Sequence, residues 1–285
     1  MRQMQRQKCR VCGKNISDEK HFENYLWCQE CDLMFLPKDN LEKKTYNEAY
    51  YKRGSGLKGW GIMEWLVSRN ITKLTKKKKP VVIDIGCGAG EFVNKAYKLG
   101  HNVWGEDISA GAIEAGRQKY PYLTSRLQWI NESEKETDKR KYDLATAFHV
   151  IEHTDNPAKF VVSIKKRLKK GGRVVLRFPN RDCWEAKLAQ KSWFHLDYPY
   201  HEYLLSANSV VKMLKESGFK KVRVNYFLLE YKQTLLYAFL GYLGITKLSV
   251  GMRIAVLPLQ FVFIPMALGL ALMRNSGVVE VIAER

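Results

Sequence analysis

The sequence predicts an α/β fold: a doubly wound, mostly parallel sheet with a small cysteine-bearing module at its N-terminus. Three observations predict it. From Pro80 onward, short apolar runs rich in β-branched residues alternate with helical patterns, the arrangement of a parallel sheet covered on both faces. A glycine-rich loop, Asp84-Ile-Gly-Cys-Gly-Ala-Gly90, follows the first run and opens the first helix. Four of the six cysteines fall within the first 31 residues.

The elements follow in order. Residues 1–45 form the cysteine module, 46–79 a polar and helical linker, and 80–285 the sheet domain. The linker contains Tyr46–Gly56, a helix expected around Trp60–Thr72, and the solvated run Lys76–Lys79 before Pro80. Val81–Ile85 reads as a strand and Glu91–Leu99 as a helix; His101–Asp107 and Ala110–Lys119 repeat the pair. A weaker strand is expected at Leu127–Ile130, then a buried strand at Tyr142–Val150 and a helix at Pro157–Leu168. Gly171-Gly172 marks a turn before the strand Arg173–Phe178. Val210, Val211 and Leu214 recur on one face of Ser206–Ser217, a helix that Gly218 can end. Phe219–Leu229 and the β-branched run Val278–Ala283 are the remaining strands.

Bulk composition bounds the function. Apolar residues make up 46% and charged residues 27% of the 285, the balance of a globular chain. The formal charge is +19, from 48 basic and 29 acidic residues, which favours an anionic partner such as nucleic acid, phospholipid or a phosphorylated substrate. Met1–Arg10 has no apolar run of the kind a secretory signal needs, so a cytoplasmic location is expected. In that reducing setting Cys9-x-x-Cys12 and Cys28-x-x-Cys31, separated by fifteen residues, point to a metal rather than to disulfides. Four thiolates close a tetrahedral zinc ion, which is therefore expected to be structural. Cys87 and Cys183 stand alone and are expected to be packing residues.

The glycine loop sits where the amides of a helix N-terminus are unpaired, and glycine lets that backbone approach a ligand closely. Its Gly86-x-Gly88-x-Gly90 spacing lacks the third glycine of the dinucleotide fingerprint and the Lys-Ser/Thr ending of a P-loop. Asp84 ends the first strand, where a carboxylate can meet a cationic group such as the amino group of methionine. Asp107, 23 residues later, ends the second strand, where a carboxylate can accept both hydroxyls of a ribose.

At these residues the chain resembles the class I S-adenosylmethionine-dependent methyltransferases. Asp84-x-Gly-x-Gly-x-Gly90 resembles their first motif, Gly105-Glu-Asp-Ile-Ser109 the acidic end of their second strand, and Lys141–Val150 their fourth strand. Leu168-Lys-Lys-Gly-Gly-Arg-Val-Val-Leu176 resembles the fifth. The resemblance covers residues 80–230 and returns at the C-terminus. It implies a seven-stranded Rossmann-like sheet with Val278–Ala283 inserted antiparallel. It also implies S-adenosylmethionine as cofactor, held by Asp84, Gly86, Cys87, Gly88, Gly90, Asp107, Ile108, Phe148 and His149. Within the superfamily the chain is most similar to the small-molecule group that includes the ubiquinone-pathway O-methyltransferases. Those enzymes carry Glu-x-x-Glu-His, associated with a divalent metal, where this chain has His149-Val-Ile-Glu152-His153. Glu152 and His153 thus remain as candidate ligands, while His149 replaces the first glutamate. The cysteine module resembles zinc ribbons that precede methyltransferase domains in cell-envelope and sugar-modifying enzymes, and also those of some ribosomal RNA methyltransferases.

Read as His-x-x-Glu-His, the same residues spell an inverted zinc-protease motif, but that motif needs one helix to present both histidines, and here it follows a strand. The aromatic loop Trp193–His201 carries the acceptor-side candidates: His201 as base or orienting group, with His195 and His149 behind it. Finally, Ile254–Met273 is apolar except for Gln260, and Leu235–Ile245 is apolar too. Twenty such residues can span a bilayer. A single crossing would strand Val278–Ala283 on the far side, and Pro258 and Pro265 interrupt the run, so a helical hairpin at about 234–274 is expected instead. It would dock on the inner face of a membrane or form a homodimer interface. The sequence thus favours methyl transfer, O-directed, to a small-molecule, sugar or lipid-linked acceptor at the membrane surface. Two alternatives remain open, an RNA methyltransferase using the zinc ribbon and basic surface and a non-catalytic zinc-ribbon scaffold.

Overall fold

A computed structural model describes residues 7–16, 20–22, 24–37, 61–130, 140–226, 234–245 and 258–285. Tyr46–Gly56, Trp60, 227–229 and 254–257, on which several of the expectations above fall, lie outside the described residues.

The elements β1 (Lys20–His21), β2 (Tyr25–Cys28) and β3 (Leu33–Phe35) precede helix α1 (Gly61–Thr75). Then come β4 (Val81–Ile85), α2 (Glu91–Lys98), β5 (Asn102–Asp107), α3 (Ala110–Lys119) and β6 (Leu127–Trp129). After β7 (Tyr142–Phe148) follow α4 (Pro157–Arg167), β8 (Leu168–Pro179), α5 (Trp184–Ala189) and β9 (Tyr203–Leu204). The chain closes with α6 (Ala207–Glu216), β10 (Lys220–Asn225), α7 (Thr234–Tyr242), α8 (Ile264–Leu272) and β11 (Val278–Glu284).

The seven-stranded sheet has the order β10-β11-β8-β7-β4-β5-β6. β4, β5, β6, β7 and β8 pair in parallel, and β11 runs antiparallel between β8 and β10. Alternation along each strand builds both faces at once. Val82, Leu144 and Val175 point to the core under α1 and α2, with Ile71, Phe92 and Val93. Their neighbours Ile83, Ala145, Val174 and Leu176 point to the core under α4 and α6, with Val161, Ile164, Val210 and Leu214. Local chemistry sets the helix starts: Asn156 Oδ1 accepts from Lys159 N at 2.9 Å with Pro157 in the first turn, and Ser206 and Ser209 form a reciprocal cap on α6.

Several boundaries differ from expectation by a few residues, and two of the differences have a visible physical cause. α1 runs on to Thr75, whose hydroxyl donates to the Ile71 carbonyl. Gly171 and Gly172 lie inside the long strand β8, where the register against β7 jumps between the Tyr142–Leu168 and Leu144–Arg173 pairs. Gly171 has φ +73°, so the glycine pair supplies a bulge without ending the strand.

The smaller sheet has the order β1-β2-β3-β9, so the cysteine module is completed by a strand from the far end of the chain. Leu26, Leu33 and Phe35 share one core with Tyr203 and Leu205. The apolar insertion emerges between β10 and β11 at the C-terminal edge of the parallel strands. Its α7 packs on α5 and on the loop 190–196, with Tyr237 stacked on Phe194 at 5.4 Å. No helix among the described residues is long and apolar enough to cross a membrane.

Candidate active site

The strand order reverses at β4: the chain passes to β5 and β6 on one side, then returns to β7 on the other. Loops leaving β4 and β7 therefore diverge, and ligands of open α/β sheets bind in the crevice so formed. The residues expected to hold the cofactor meet there. Gly86 has φ +70°, and a Cβ on it would lie 2.4 Å from Val150 Cγ2, so only glycine fits beneath the β7 loop. Gly88 has φ +54°, and no described atom lies within 4 Å of where its Cβ would be, leaving the backbone bare toward the crevice. Gly90 caps α2, and Cys87 is buried beneath the loop against Gly105.

Asp84 is buried, and its Oδ1 accepts from Thr146 Oγ1 at 2.7 Å across the β4–β7 pair. Asp107 Oδ2 accepts from Gly88 N and Oδ1 from Ser109 N, both at 2.8 Å. These two backbone donors aim the carboxylate at the crevice. Ile108, 44% exposed, stands at the rim. Phe148 ends β7 with its ring edge-on to Phe92 at 5.3 Å and under the Arg177 guanidinium at 4.4 Å.

His149 follows at φ +57°, a conformation that costs a non-glycine residue energy and that clusters at functional sites. Its amide donates to the Arg177 carbonyl at 2.9 Å, and its Nδ1 lies 3.3 Å from Glu152 Oε1. Ile151–His153 form a single 3₁₀ turn, so the protease reading of the motif has no helix to stand on. Glu152 is 1% exposed, and neither carboxylate oxygen has a hydrogen-bond partner on another described residue.

Across from it the aromatic loop delivers His195 and His201, both buried. His201 Nδ1 donates to the His195 carbonyl at 2.7 Å, and His153 Nδ1 to the Tyr200 carbonyl at 2.9 Å. The two rings meet edge to face at 4.7 Å. Donation through Nδ1 leaves Nε2 as the acceptor atom, the tautomer in which imidazole ligates metals. The ligand atoms of Glu152, His153 and His201 all lie within 4.8 Å of one another, with Glu152 and His201 buried and His153 partly so, a donor set that suits a divalent cation.

Burial shapes the charge here. It pushes His149 and His195 down to about 3, helped by Arg177 at His149 and by His149 at His195. It holds His153 and His201 at about 4 and raises the Glu152 carboxyl, opposed by the pull of His153 and His201. At neutral pH the four imidazoles are neutral. Buried imidazoles with so low an affinity for protons are better suited to ligation than to removing a proton from an alcohol.

The four-cysteine cluster is a separate centre. Cys9 and Cys31 Sγ lie 3.9 Å apart, and Cys12 and Cys28 Sγ 3.7 Å. A tetrahedron with metal–sulfur bonds of about 2.3 Å has edges of roughly 3.8 Å, whereas a disulfide needs about 2 Å. The thiols fit a tetrahedral ion. Burial and the neighbouring thiols push Cys28 up to about 11 and Cys31 higher still, so four thiolates together call for a cation to offset their charge. Cys183 is buried at the N-terminus of α5, where its Sγ accepts from Ala186 N at 3.3 Å.

Sequence reasoning anticipated Glu152 and His153 but not that His201 would complete their group. Nor did it single out Thr146 or Arg177. An arginine within an apolar strand was the available signal: Arg177 is fully buried, paired with Glu280 on β11 at 2.9 Å.

A family model described as a methyltransferase domain matches residues 60–224, more than half of the chain. The ubiquinone biosynthesis O-methyltransferase of Candida albicans is 36% identical over 107 residues, covering 35% of this chain and 33% of its own length. An uncharacterised Methanocaldococcus jannaschii protein is 34% identical over 146 residues, 50% of this chain and 65% of its own. The chain thus spans only about a third of the ubiquinone-pathway relative. Among solved structures, a SAM-dependent methyltransferase from Archaeoglobus fulgidus superposes with TM-score 0.56 at 18% identity, over 84% of this chain and 100% of that one. Haemonchus contortus phosphoethanolamine N-methyltransferase 2, solved with phosphomonomethylethanolamine and S-adenosylhomocysteine, gives 0.54 at 16% identity, over 86% and 61%. These likenesses establish the fold.

Proposed function

We infer that this chain, which belongs to the methyltransferase domain family, transfers the methyl group of S-adenosylmethionine to an oxygen of a small-molecule, sugar or lipid-linked acceptor at a membrane surface. The observation that carries the reading is the convergence of Asp84, the bare Gly88 backbone and Asp107 at the switch point, with Phe148 and His149 opposite. S-adenosylmethionine, when bound, supplies an electrophilic methyl on a sulfonium. Asp84, oriented by Thr146, meets the ammonium of its amino-acid end, and Asp107 accepts from the ribose hydroxyls. Ile108 and Phe148 offer apolar surface to the purine. The buried side chains of the loop 193–201, Trp193, His195, Leu196 and His201, exclude water and align the acceptor, the main contribution an in-line displacement requires.

Two metals enter the proposal. Zinc in Cys9, Cys12, Cys28 and Cys31 is structural, since four thiolates leave no open position. Glu152, His153 and His201 would hold a divalent cation, which would supply Lewis acidity toward an acceptor oxygen. The neutral Nε2 atoms of His201 and His153, fixed by their carbonyl partners, are what this chain contributes. His201 as general base is the less favoured role, because burial holds it near 4.

The membrane part rests on the insertion. Phe239, Tyr242, Leu243, Leu259, Phe261, Val262, Leu272 and Met273 are exposed at the same edge as the crevice. An exposed apolar face on a chain of charge +19 suits the surface of an anionic bilayer, and a homodimer would use the same face. Calorimetry with S-adenosylhomocysteine tests the cofactor half: one site per chain is expected, and no measurable heat would leave only the non-catalytic scaffold. Fractionating a detergent-free lysate tests the surface half: detergent-releasable protein in the membrane pellet is expected, and intact protein mainly in the supernatant overturns it. Steeply salt-dependent RNA binding would instead favour the RNA reading.

A further inference from the structure

We propose that Tyr25 is a positioning residue for His201, and that the four-cysteine module, loaded with its metal, is the clamp that sets the acceptor side of the site. This rests on the reading of His201 as an acceptor-side group. The module is not a detached appendage. β3 pairs with β9 at Met34–Leu204 and Phe35–Tyr203, immediately after His201. Leu36 N donates to the Glu202 carbonyl at 3.0 Å, and Arg10 pairs with Glu202 at 2.8 Å while lying over the Tyr203 ring at 4.8 Å. Tyr25, with no exposed surface, donates its hydroxyl to the His201 carbonyl at 2.7 Å. On the following turn, Asp32 Oδ2 accepts from Ser206 Oγ at 2.7 Å, and Arg181 Nη1 donates to the Asp32 carbonyl at 2.9 Å.

Residues 201–206 are therefore gripped from the module side at the His201, Glu202, Tyr203, Leu204 and Ser206 positions. From the other side Glu202 N donates to the Glu152 carbonyl at 2.9 Å, which ties the same segment to the residue that His201 faces. The gripping residues Arg10, Tyr25 and Asp32 each lie within three positions of a cysteine ligand, so closing the metal site fixes all three. By contrast, the hydrogen bonds that aim the glycine loop and Asp107, through Gly86, Gly88, Glu106 and Ser109, stay within the larger sheet and its loops. The module therefore governs the acceptor half and leaves the cofactor half alone.

The test uses the full-length, zinc-loaded chain with ¹⁵N-labelled imidazoles. Long-range proton–nitrogen correlation reports the tautomer of His201, hydrogen exchange reports Glu202–Leu204, and calorimetry with S-adenosylhomocysteine reports the cofactor side. Tyr25→Phe removes one hydroxyl and is expected to keep one zinc per chain and the S-adenosylhomocysteine Kd within twofold. It should shift the His201 signals away from a pure Nδ1–H tautomer and speed exchange of Glu202–Leu204 about tenfold. Cys12→Ser, which opens the cysteine site and leaves Glu152, His153 and His201 untouched, should do the same more strongly. Unchanged His201 signals and exchange in both samples overturn the proposal. So does a Kd that weakens tenfold in step with them, since the module would then stabilise the whole fold. Failure of wild-type protein to bind S-adenosylhomocysteine at all would instead count against the methyltransferase reading, leaving the clamp to be judged on the imidazole signals.

Discussion

Lowering the pH from 7 to 5 should destabilise this protein far more than an ordinary domain, because four imidazoles, His195 and His201 buried and His149 and His153 partly so, sit in one place. His149 and His195 sit near 3, and His153 and His201 near 4, against an ordinary value of 6.5. A group whose proton affinity is lowered by folding binds its proton first in the unfolded chain. Its contribution to stability is therefore present above about 6.5 and is lost as the pH falls toward 3–4. Over pH 7 to 5 each histidine costs about 2 kcal/mol, and four independent ones about 8 kcal/mol as an upper bound, comparable with the whole stability of a typical domain. Urea denaturation at half-unit pH steps measures the slope directly. His195→Gln, which removes one titrating ring outside the Glu152, His153 and His201 group, should flatten the slope by about a quarter. A stability that is flat between pH 7 and 5, or a slope that His195→Gln leaves unchanged, refutes the burial argument.

Asp107→Asn keeps the shape of the side chain but sets an NH₂ against one of the two backbone donors at Gly88 and Ser109. Losing one charge-assisted hydrogen bond of about 1.5–3 kcal/mol should weaken S-adenosylhomocysteine roughly 10- to 150-fold by calorimetry, and a Kd within twofold of wild type counts against the assignment. Glu280→Ala leaves the Arg177 guanidinium buried without its carboxylate, and should lower stability by about 3–5 kcal/mol in urea denaturation. A loss under about 1 kcal/mol would mean that Arg177 finds another partner. Replacing Phe261 and Leu272 together by Glu should leave cofactor binding intact while moving the protein from vesicles of anionic phospholipid to the supernatant in a sedimentation assay. Vesicle binding equal to wild type would remove α8 and its flanking turn from the docking surface.

How much could be read beforehand depended on the range of the interactions. The core of the sheet was legible because a strand buried on both faces is a short, nearly continuous apolar run, and Val81–Ile85, Tyr142–Phe148 and the antiparallel Val278–Glu284 each carry that run in their own residues. The cofactor side was legible for the same reason: Asp84, the glycines and Asp107 lie at fixed offsets on adjacent β–α units. β8 begins before Gly171-Gly172 rather than after it because a bulge and a turn ask for the same residue, and only the pairing with β7 tells them apart.

The acceptor side was legible only in pieces. Glu152 and His153 are neighbours in sequence, but His201 joins them from 48 residues on, through a loop with no periodic pattern, and no local signal brings it there. The link from the cysteines to that loop spans 176 residues between Tyr25 and His201. A tyrosine in a short strand announces burial, not the carbonyl it will meet. What decides the chemistry of the site is therefore a set of contacts between segments that each look structural alone. The cysteines read as a metal clip and the Trp193–His201 loop as a packed aromatic turn. Only β9, shared between the two sheets, makes the metal clip part of the geometry of the acceptor site.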